Sequence, residues 1–184
     1  MEMRFKLLEH PFYQQWSRGE ITRSQLSAYA HSYYEFVRLM PVFWEKALEG
    51  LGVDEKESID VINDEKSHTV LWENFRSKFE KRGHPGMKDL NEAFLSMNAS
   101  RLLGAVHAFE VQQPDVARTK TEGLLKHYGF GANETEYFDA HLNEAEHIKF
   151  GLKIADKYAD RSEFEAGFAE GSELVYNALD RFLA

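Results

Sequence analysis

Helical periodicity runs through almost the whole chain, and no segment alternates apolar and polar residues as a half-buried strand does. Capping residues mark four of the helix starts: Thr22 with Gln25, Asp54 with Glu57, Asn133 with Glu136, and Ser162. The predicted helices are 11–17, 22–50 with a kink at Pro41, 54–81, a short one after the loop 83–86, 98–111, 114–129, 133–158 and 162–184. These segments predict an all-α, single-domain bundle of about seven helices over residues 1–184.

Charge and cysteine content exclude several classes of protein. The net charge of −9 makes binding to a nucleic-acid backbone unfavourable and provides no basic face for anionic lipid. Without cysteine there is no disulfide, thiolate nucleophile, iron–sulfur cluster or cysteine zinc site. The first residues lack the apolar region of a signal peptide, and no apolar run is long enough to span a membrane. We therefore expect a cytoplasmic protein without membrane or nucleic-acid partners.

Three predicted helices carry a carboxylate and a histidine three residues apart, a spacing that puts both side chains on one helix face. These sets are Glu65/His68, His107/Glu110 and His141/Glu144/His147. The spacing alone is also typical of solvated helix surfaces, and pairs of this kind arise often by chance in a chain with 8 histidines and 31 acidic residues.

The neighbouring apolar residues place two of these sets on helix faces that should be buried. The two stripes are Val61, Glu65, His68, Trp72 and Phe75, and Tyr137, His141, Glu144, Ile148 and Ala155. An ionised carboxylate on a buried face needs a cationic partner, either a basic side chain or a metal ion. Because these stripes hold few lysines or arginines, a metal is favoured. Carboxylates and imidazoles without thiolates suit iron or manganese and allow zinc.

Other candidate residues have simpler interpretations. His84 and His127 are expected at the surface, and His10 before Pro11 is expected to start or cap a helix. The aromatic run, which either packs the core or lines a cavity, is Tyr29, Tyr33, Tyr34, Phe36, Phe43 and Trp44.

Four ordered motifs give the sequence a resemblance that runs nearly from end to end. They are Leu8-Glu9-His10-Pro11-Phe12-Tyr13, Asp64-Glu65 with His68-Thr69-Val70-Leu71-Trp72, Phe109-Glu110 with Pro114 and Lys120, and Tyr137-Phe138 with His141, Glu144 and His147. The set resembles the haem-oxygenase-like helical superfamily, which includes thiaminase II and pyrroloquinoline-quinone synthase relatives. Within it, the sequence is similar to the proteins named for associating with death domains, the CADD family.

The resemblance implies a non-haem oxidase that uses two metal ions, Fe/Fe or Fe/Mn, with dioxygen and an external reductant. By position, its implied metal ligands are Glu65, His68, Glu110, His141, Glu144 and His147. Some family members are implicated in making 4-aminobenzoate for folate from one of their own tyrosines, with a lysine as nitrogen source. The matching residues are Tyr13 and Lys120, and Tyr137 matches a further tyrosine near the site.

The sequence departs from the family pattern at several positions. Only two residues separate Glu65 from His68, which leaves Asp64 as a rival ligand, and His107 is an additional candidate. Phe109 stands where the family often has tyrosine. On a continuous helix His141, Glu144 and His147 would spread over about 120° of arc, because this motif is one residue shorter than usual. This spread predicts two metal positions of unequal affinity.

Two alternative functions stay open from the sequence. One is a di-metal oxidase that acts on a free amine, amino acid or lipid, with Tyr13 as a cavity wall. The other is a metal-free helical binding or interaction protein. A thiaminase that uses a cysteine nucleophile is excluded by the absence of cysteine. The substrate, the metal and the oligomeric state, with a homodimer as one possibility, are not fixed by the sequence.

Overall fold

The computed structural model describes residues 1–80 and 86–183, and the described residues contain ten α-helices, three 3₁₀ segments and no strand. The α-helices are α1 (Pro11–Arg18), α2 (Arg23–Val37), α3 (Met40–Gly50), α4 (Glu57–Arg76), α5 (Lys88–Ser96), α6 (Ala99–Glu110), α7 (Gln113–His127), α8 (Glu136–Ala140), α9 (Ala145–Tyr158) and α10 (Arg161–Ala178). The all-α prediction is confirmed. The described helices outnumber the predicted total of about seven, because the predicted helices 22–50 and 133–158 are each divided and the short helix after the loop is present as α5. None of the described helices is long and apolar enough to cross a membrane.

Capping residues fix the ends of the first helices as predicted. The His10 side chain accepts a hydrogen bond from the Phe12 N–H and so caps α1, which ends at Gly19 in the left-handed conformation (φ 73°). Thr22 and Gln25 form the predicted capping box at the start of α2. These signals lie within a few residues of the helix ends that they specify, so the sequence locates them well.

The predicted helix 22–50 is divided, not kinked. α2 ends at Val37, and Pro41 lies in the first turn of α3. In a continuous helix the Pro41 ring would clash with the Val37 carbonyl, and a backbone hydrogen bond would be lost. In a first turn neither cost arises, because those N–H groups have no helical partner.

Three other predicted helix starts are wrong in detail. Asn133 does not cap a helix with Glu136, because it lies in a separate 3₁₀ segment and Thr135 stands at the N-cap position of α8. Lys56 stands at the N-cap position of α4 without a side-chain hydrogen bond, so Asp54 does not cap it. Asp160 rather than Ser162 caps α10, through the Glu163 N–H. The helix predicted to reach residue 81 ends at Arg76, while His84 and most of the predicted loop 83–86 lie outside the described residues.

Helix α6 packs against α10 at very close range. A Cβ atom added at Gly167 would lie 1.8 Å from the Arg101 carbonyl oxygen, and one added at Gly104 would lie 2.0 Å from the Phe164 carbonyl oxygen. Only glycine permits this approach of the two backbones. The packing fixes α6 within the bundle, and Glu110 at its last turn is buried.

Candidate metal centre

The six predicted ligands, which lie far apart in sequence, converge at one buried position between α4, α6 and the α8–α9 region. They are Glu65, His68, Glu110, His141, Glu144 and His147, none of them more than 7% exposed. Burial of three carboxylates and three imidazoles in one place is unfavourable unless each group has a partner. The local structure of each element explains how they meet.

Glu65 and His68 lie on the unbroken helix α4, one turn apart on its buried face. The predicted apolar stripe on this helix is confirmed, because Val61, Trp72 and Phe75 are also buried. Asp64 is the next residue round the helix, and its side chain is 63% exposed. The structure therefore brings Glu65, and not Asp64, into the cluster.

The predicted helix 133–158 is broken at the cluster itself. α8 ends at Ala140 and α9 begins at Ala145. His141 therefore directly follows α8, Glu144 directly precedes α9, and His147 lies in the first turn of α9. The spread of about 120° expected for a continuous helix therefore does not apply. Because the helix is interrupted, all three side chains point inward. The expected spread of these side chains round one helix is therefore no longer an argument for unequal metal affinities.

The ligands form two groups that cut across the sequence motifs. In one group, ligand atoms of His68, His141 and Glu144 all lie within 4.8 Å of one another, and in the other so do atoms of Glu65, Glu110 and His147. We call these the His68 group and the Glu110 group.

Two carboxylates have an oxygen near each group. Glu65 Oε2 lies 3.6 Å from His68 Nδ1, and Glu65 Oε1 lies 3.5 Å from His147 Nδ1. Glu144 Oε1 lies 3.9 Å from His141 Nε2, and Glu144 Oε2 lies 3.0 Å from His147 Nδ1. Both residues would thus be available to a metal ion held by either group, whereas Glu110 belongs to one group alone.

Electrostatics within the cluster match a site for cations. Burial raises the pKa of Glu110 well above its ordinary value, and the nearby Glu65 and Glu144 raise it further. Burial alone would lower the pKa of His147, but Glu144 and Glu65 outweigh it and raise that pKa to about 11. For Glu65, His147 and His68 overcome burial and lower the pKa to about 2. The buried carboxylates therefore favour a positively charged partner, such as a protonated histidine or a metal ion.

The donor atoms fit a pair of iron or manganese ions. His68 Nδ1, Glu144 Oε1 and His147 Nδ1 are buried without a hydrogen bond of normal geometry to any described residue. Unpaired buried atoms of this kind are costly, and metal coordination would satisfy them. Three carboxylates with three imidazoles and no thiolate form a donor set typical of iron and manganese in helical bundles.

His107, the additional candidate ligand, lies away from both groups. Its ring packs 5.7 Å from Phe164 and 6.0 Å from Phe168, and burial lowers its pKa to about 4. A Cβ added at Gly151 would lie 3.1 Å from His107 Nδ1. The described structure thus makes His107 a neutral core residue between α6, α9 and α10.

Tyr13 and Lys120 meet inside the bundle in a second buried feature, which we call the aromatic chamber. The Lys120 Nζ atom lies 5.1 to 5.7 Å from the ring centres of Tyr13, Tyr29, Tyr33, Trp72 and Phe138. Burial lowers the pKa of Lys120 to about 7, and it raises the pKa of Tyr13. Sequence reasoning had left the aromatic run as core or cavity wall, and the ring contacts show that Tyr29 and Tyr33 surround the lysine.

Tyr137 lies between the aromatic chamber and the metal ligands. Its ring centre is 4.5 Å from that of Trp72 and 4.3 Å from that of His141. The His141 Nδ1–H donates to the Tyr137 carbonyl oxygen at 2.6 Å, which leaves Nε2 free to face Glu144. The chamber and the candidate metal centre are therefore joined by contacts between aromatic rings.

Comparison with known proteins agrees with this architecture. Residues 43–180 match the haem-oxygenase-like family described as iron-containing redox enzymes. The chain belongs to this family. Residues 2–43 match the TENA/THI-4/PQQC family. A TenA homologue from Pseudomonas syringae has the same fold, with a TM-score of 0.69 over 96% of this chain and 86% of that chain at 16% identity.

Relatives of similar length bear the name of an enzyme with a stated product. A protein of Nitrosomonas europaea named 4-aminobenzoate synthase is 30% identical, over 96% of this chain and 84% of its own length. Proteins of the same name from Chlamydia muridarum and Chlamydia trachomatis are each 28% identical over 96% of this chain, and 84% and 86% of their own lengths are covered. As a member of the iron-containing redox enzyme family, the chain is an oxidoreductase.

Proposed function

We propose that this chain is a non-haem di-metal oxidase that forms 4-aminobenzoate from its own Tyr13, with Lys120 as nitrogen source. The observation that carries the proposal is the contact of a buried lysine with a buried tyrosine, Nζ to ring centre 5.4 Å, in a chain whose relatives bear that product's name. The Tyr137 ring contacts both Trp72, which borders the aromatic chamber, and His141 in the candidate metal centre.

The structures of tyrosine and 4-aminobenzoate define which bonds the reaction must break and form. The ring and Cβ supply all seven carbons, so the Cα–Cβ bond must break and Cβ must be oxidised to a carboxyl group. The phenol oxygen must leave as water and be replaced by nitrogen, and the Lys120 Cε–Nζ bond must break, with Cε oxidised to an aldehyde. These oxidations need dioxygen and an external reductant, and a pair of iron or manganese ions held by the two ligand groups would supply dioxygen activation.

The chain's own residues meet the other requirements. With its pKa near 7, Lys120 has an appreciable neutral fraction at physiological pH, and only a neutral amine can act as a nucleophile. Rings on several sides hold it against Tyr13 and exclude water from the reacting pair. Tyr137 orients His141 through its carbonyl oxygen. A homodimer and a cytoplasmic location stay predictions.

The test is to reconstitute the purified chain with Fe(II), Mn(II) or both, add reductant and air, and assay 4-aminobenzoate. We expect at most one product per chain, with loss of the Tyr13 side chain shown by peptide mass spectrometry. Tyr13→Phe should abolish the product, and Tyr33→Phe, which removes the hydroxyl group of another ring near Lys120, serves as the matched control. An intact Tyr13 peptide alongside many turnovers of an added amine, amino acid or lipid would favour the free-substrate oxidase instead.

A further inference from the structure

His147 has its two ring nitrogens in different surroundings. Nδ1 faces inward, 3.0 Å from Glu144 Oε2 and 3.5 Å from Glu65 Oε1. Nε2 faces outward, 3.4 Å from Asp64 Oδ2. The inward nitrogen is therefore the one that the Glu110 group offers to a metal, and the outward one meets a residue outside both ligand groups.

Within residues 1–80 and 86–183, this imidazole is the only hydrogen-bond or ion-pair partner of the Asp64 side chain. Its side chain lines a surface cleft together with His147, Lys149 and Lys153. Lys149 pairs with Glu146, and Lys153 pairs with Glu55 and Glu57. The nearby cations are thus engaged elsewhere, and the Asp64 carboxylate forms no ion pair with a lysine or arginine among the described residues.

His141, in the other ligand group, is held in a comparable way by a different acceptor. Its Nδ1–H donates to the Tyr137 carbonyl, which directs Nε2 inward. A metal-binding histidine typically donates its second N–H to a carboxylate or carbonyl, and this bond fixes both the tautomer and the ring orientation. His147 lacks a backbone acceptor in the described structure, and the Asp64 carboxylate occupies the corresponding place.

We propose that Asp64 is a positioning residue that accepts the Nε2–H of His147 and thereby presents Nδ1 to the metal in the Glu110 group. This inference rests on the proposed metal centre and adds a residue that ligates no metal itself. The continuous α4 explains the placement, because Asp64 precedes Glu65 and lies about 100° round the helix, at the solvent edge next to α9. A single helix thus supplies both a ligand and the support for another ligand.

The experiment compares Asp64→Ala and Asp64→Asn with Asp60→Ala. Asp60 lies one turn earlier on α4 and lines the same cleft, but it forms no hydrogen bond or ion pair with His147. Anaerobic competition against a chromophoric chelator measures the affinity for Fe(II) and Mn(II) at each of the two positions. In a separate measurement, ¹H–¹⁵N spectra of the protein loaded with diamagnetic Zn(II) report which His147 nitrogen carries hydrogen.

We expect Asp64→Ala to weaken one of the two metal positions about tenfold, with the other unchanged. Asp64→Asn should recover part of the affinity, because its amide oxygen still accepts the hydrogen bond, and Asp60→Ala should match the parent. The zinc-loaded parent should show hydrogen on Nε2. The inference is overturned by unchanged affinity in Asp64→Ala, by an equal loss in Asp60→Ala, or by zinc on Nε2. A parent that binds two metals with Asp64→Ala unaffected would leave the proposed function intact, whereas a parent without metal binding would overturn both.

Discussion

The Lys120 Nζ atom lies 5.4 Å from the ring centre of Tyr13 and 5.1 Å from that of Tyr29, deep in the bundle. No carboxylate lies within ion-pair distance of this ammonium group among the described residues. Aromatic ring faces attract a cation, but they replace its hydration only in part. Burial accordingly lowers the pKa of Lys120 to about 7, and this has consequences for stability and for reactivity.

Replacement of Lys120 by methionine should stabilise the metal-free fold most at low pH. Between the folded pKa near 7 and the unfolded value of about 10.4, the unfolded parent binds more protons, so parent stability rises with pH. The advantage of Lys120→Met, on the order of 1–4 kcal/mol, should therefore be largest below pH 7 and shrink toward pH 10. Urea unfolding at pH 6.5, 8 and 9.5 measures this difference in the free energy of unfolding. Lys126→Met, at an exposed position, is the control. A difference that stays constant with pH would contradict the prediction.

Product formation should depend on the amine and not on the positive charge of residue 120. Lys120→Arg keeps a cation in the chamber, but a guanidinium is not deprotonated near neutral pH. We expect no 4-aminobenzoate from this variant, with the same metal content as the parent, and a parent yield that rises as the pH passes through about 7. Mass spectrometry of product from ¹⁵N-lysine-labelled protein tests the nitrogen source directly. Unlabelled product would exclude Lys120 as the donor.

Removal of a carboxylate near both ligand groups should change the number of bound metal ions differently from removal of a carboxylate in one group. Glu65 has an oxygen near each ligand group, so Glu65→Ala should weaken both metal positions. Glu110 belongs to one group, and Glu110→Ala should weaken one position and spare the other. Elemental analysis and chelator competition on both variants provide the measurement. Equal loss of both metals in the two variants would show that Glu110 is shared as well.

Without metal, the charge on Glu110 should destabilise the fold. Burial and the neighbouring Glu65 and Glu144 raise its folded pKa above the unfolded value near 4.3, so stability is lost as the pH rises from about 4 toward the folded pKa. Metal-free Glu110→Gln should therefore melt at a higher temperature than the metal-free parent at pH 7, and the two should converge at pH 4. Added Fe(II) or Mn(II) should stabilise the parent more than the variant. Exposed Glu122→Gln is the control for charge alone.

The close packing of α6 on α10 should tolerate no side chain at Gly167. Gly167→Ala would place Cβ 1.8 Å from the Arg101 carbonyl oxygen, so the helices must separate, at a cost of about 1–3 kcal/mol or more. Gly131→Ala is a suitable control, because Gly131 has an ordinary extended conformation and its nearest neighbour would be 3.6 Å from Cβ. Chemical denaturation measures the free energy of unfolding of both variants. Equal values would show that α6 and α10 can move apart to accommodate the added methyl group.

Features set by nearby residues were predictable from the sequence. The cap at Thr22 and the buried stripe through Glu65 depend on spacings of three or four residues, and the structure contains both. The six residues that converge at the candidate centre were identified by the same stripes together with the family resemblance. What periodicity could not supply was the direction of each side chain once a helix ends.

The region of His141 and Glu144 illustrates that limit. A helical pattern extends across these residues, yet the helix is interrupted between α8 and α9. The packing of these two helices buries His141, Glu144 and His147 together. The pairing of His147 with Asp64 spans 83 residues of sequence and depends on how α9 lies beside α4. Contacts of this kind arise from tertiary packing, so no local pattern indicates them.

The Tyr13 side chain is also part of the core, 1% exposed and packed edge-to-face on Phe12. If the proposed reaction removes that ring, the spent chain is left with a hole where an aromatic side chain stood, and removal of a core aromatic residue typically costs about 3–5 kcal/mol. A chain that has reacted would thus be distinguished from a fresh one by its stability, and cellular proteases, which act on unfolded molecules, would remove it first. The burial that protects the reaction from water would in this way also limit the lifetime of the exhausted protein.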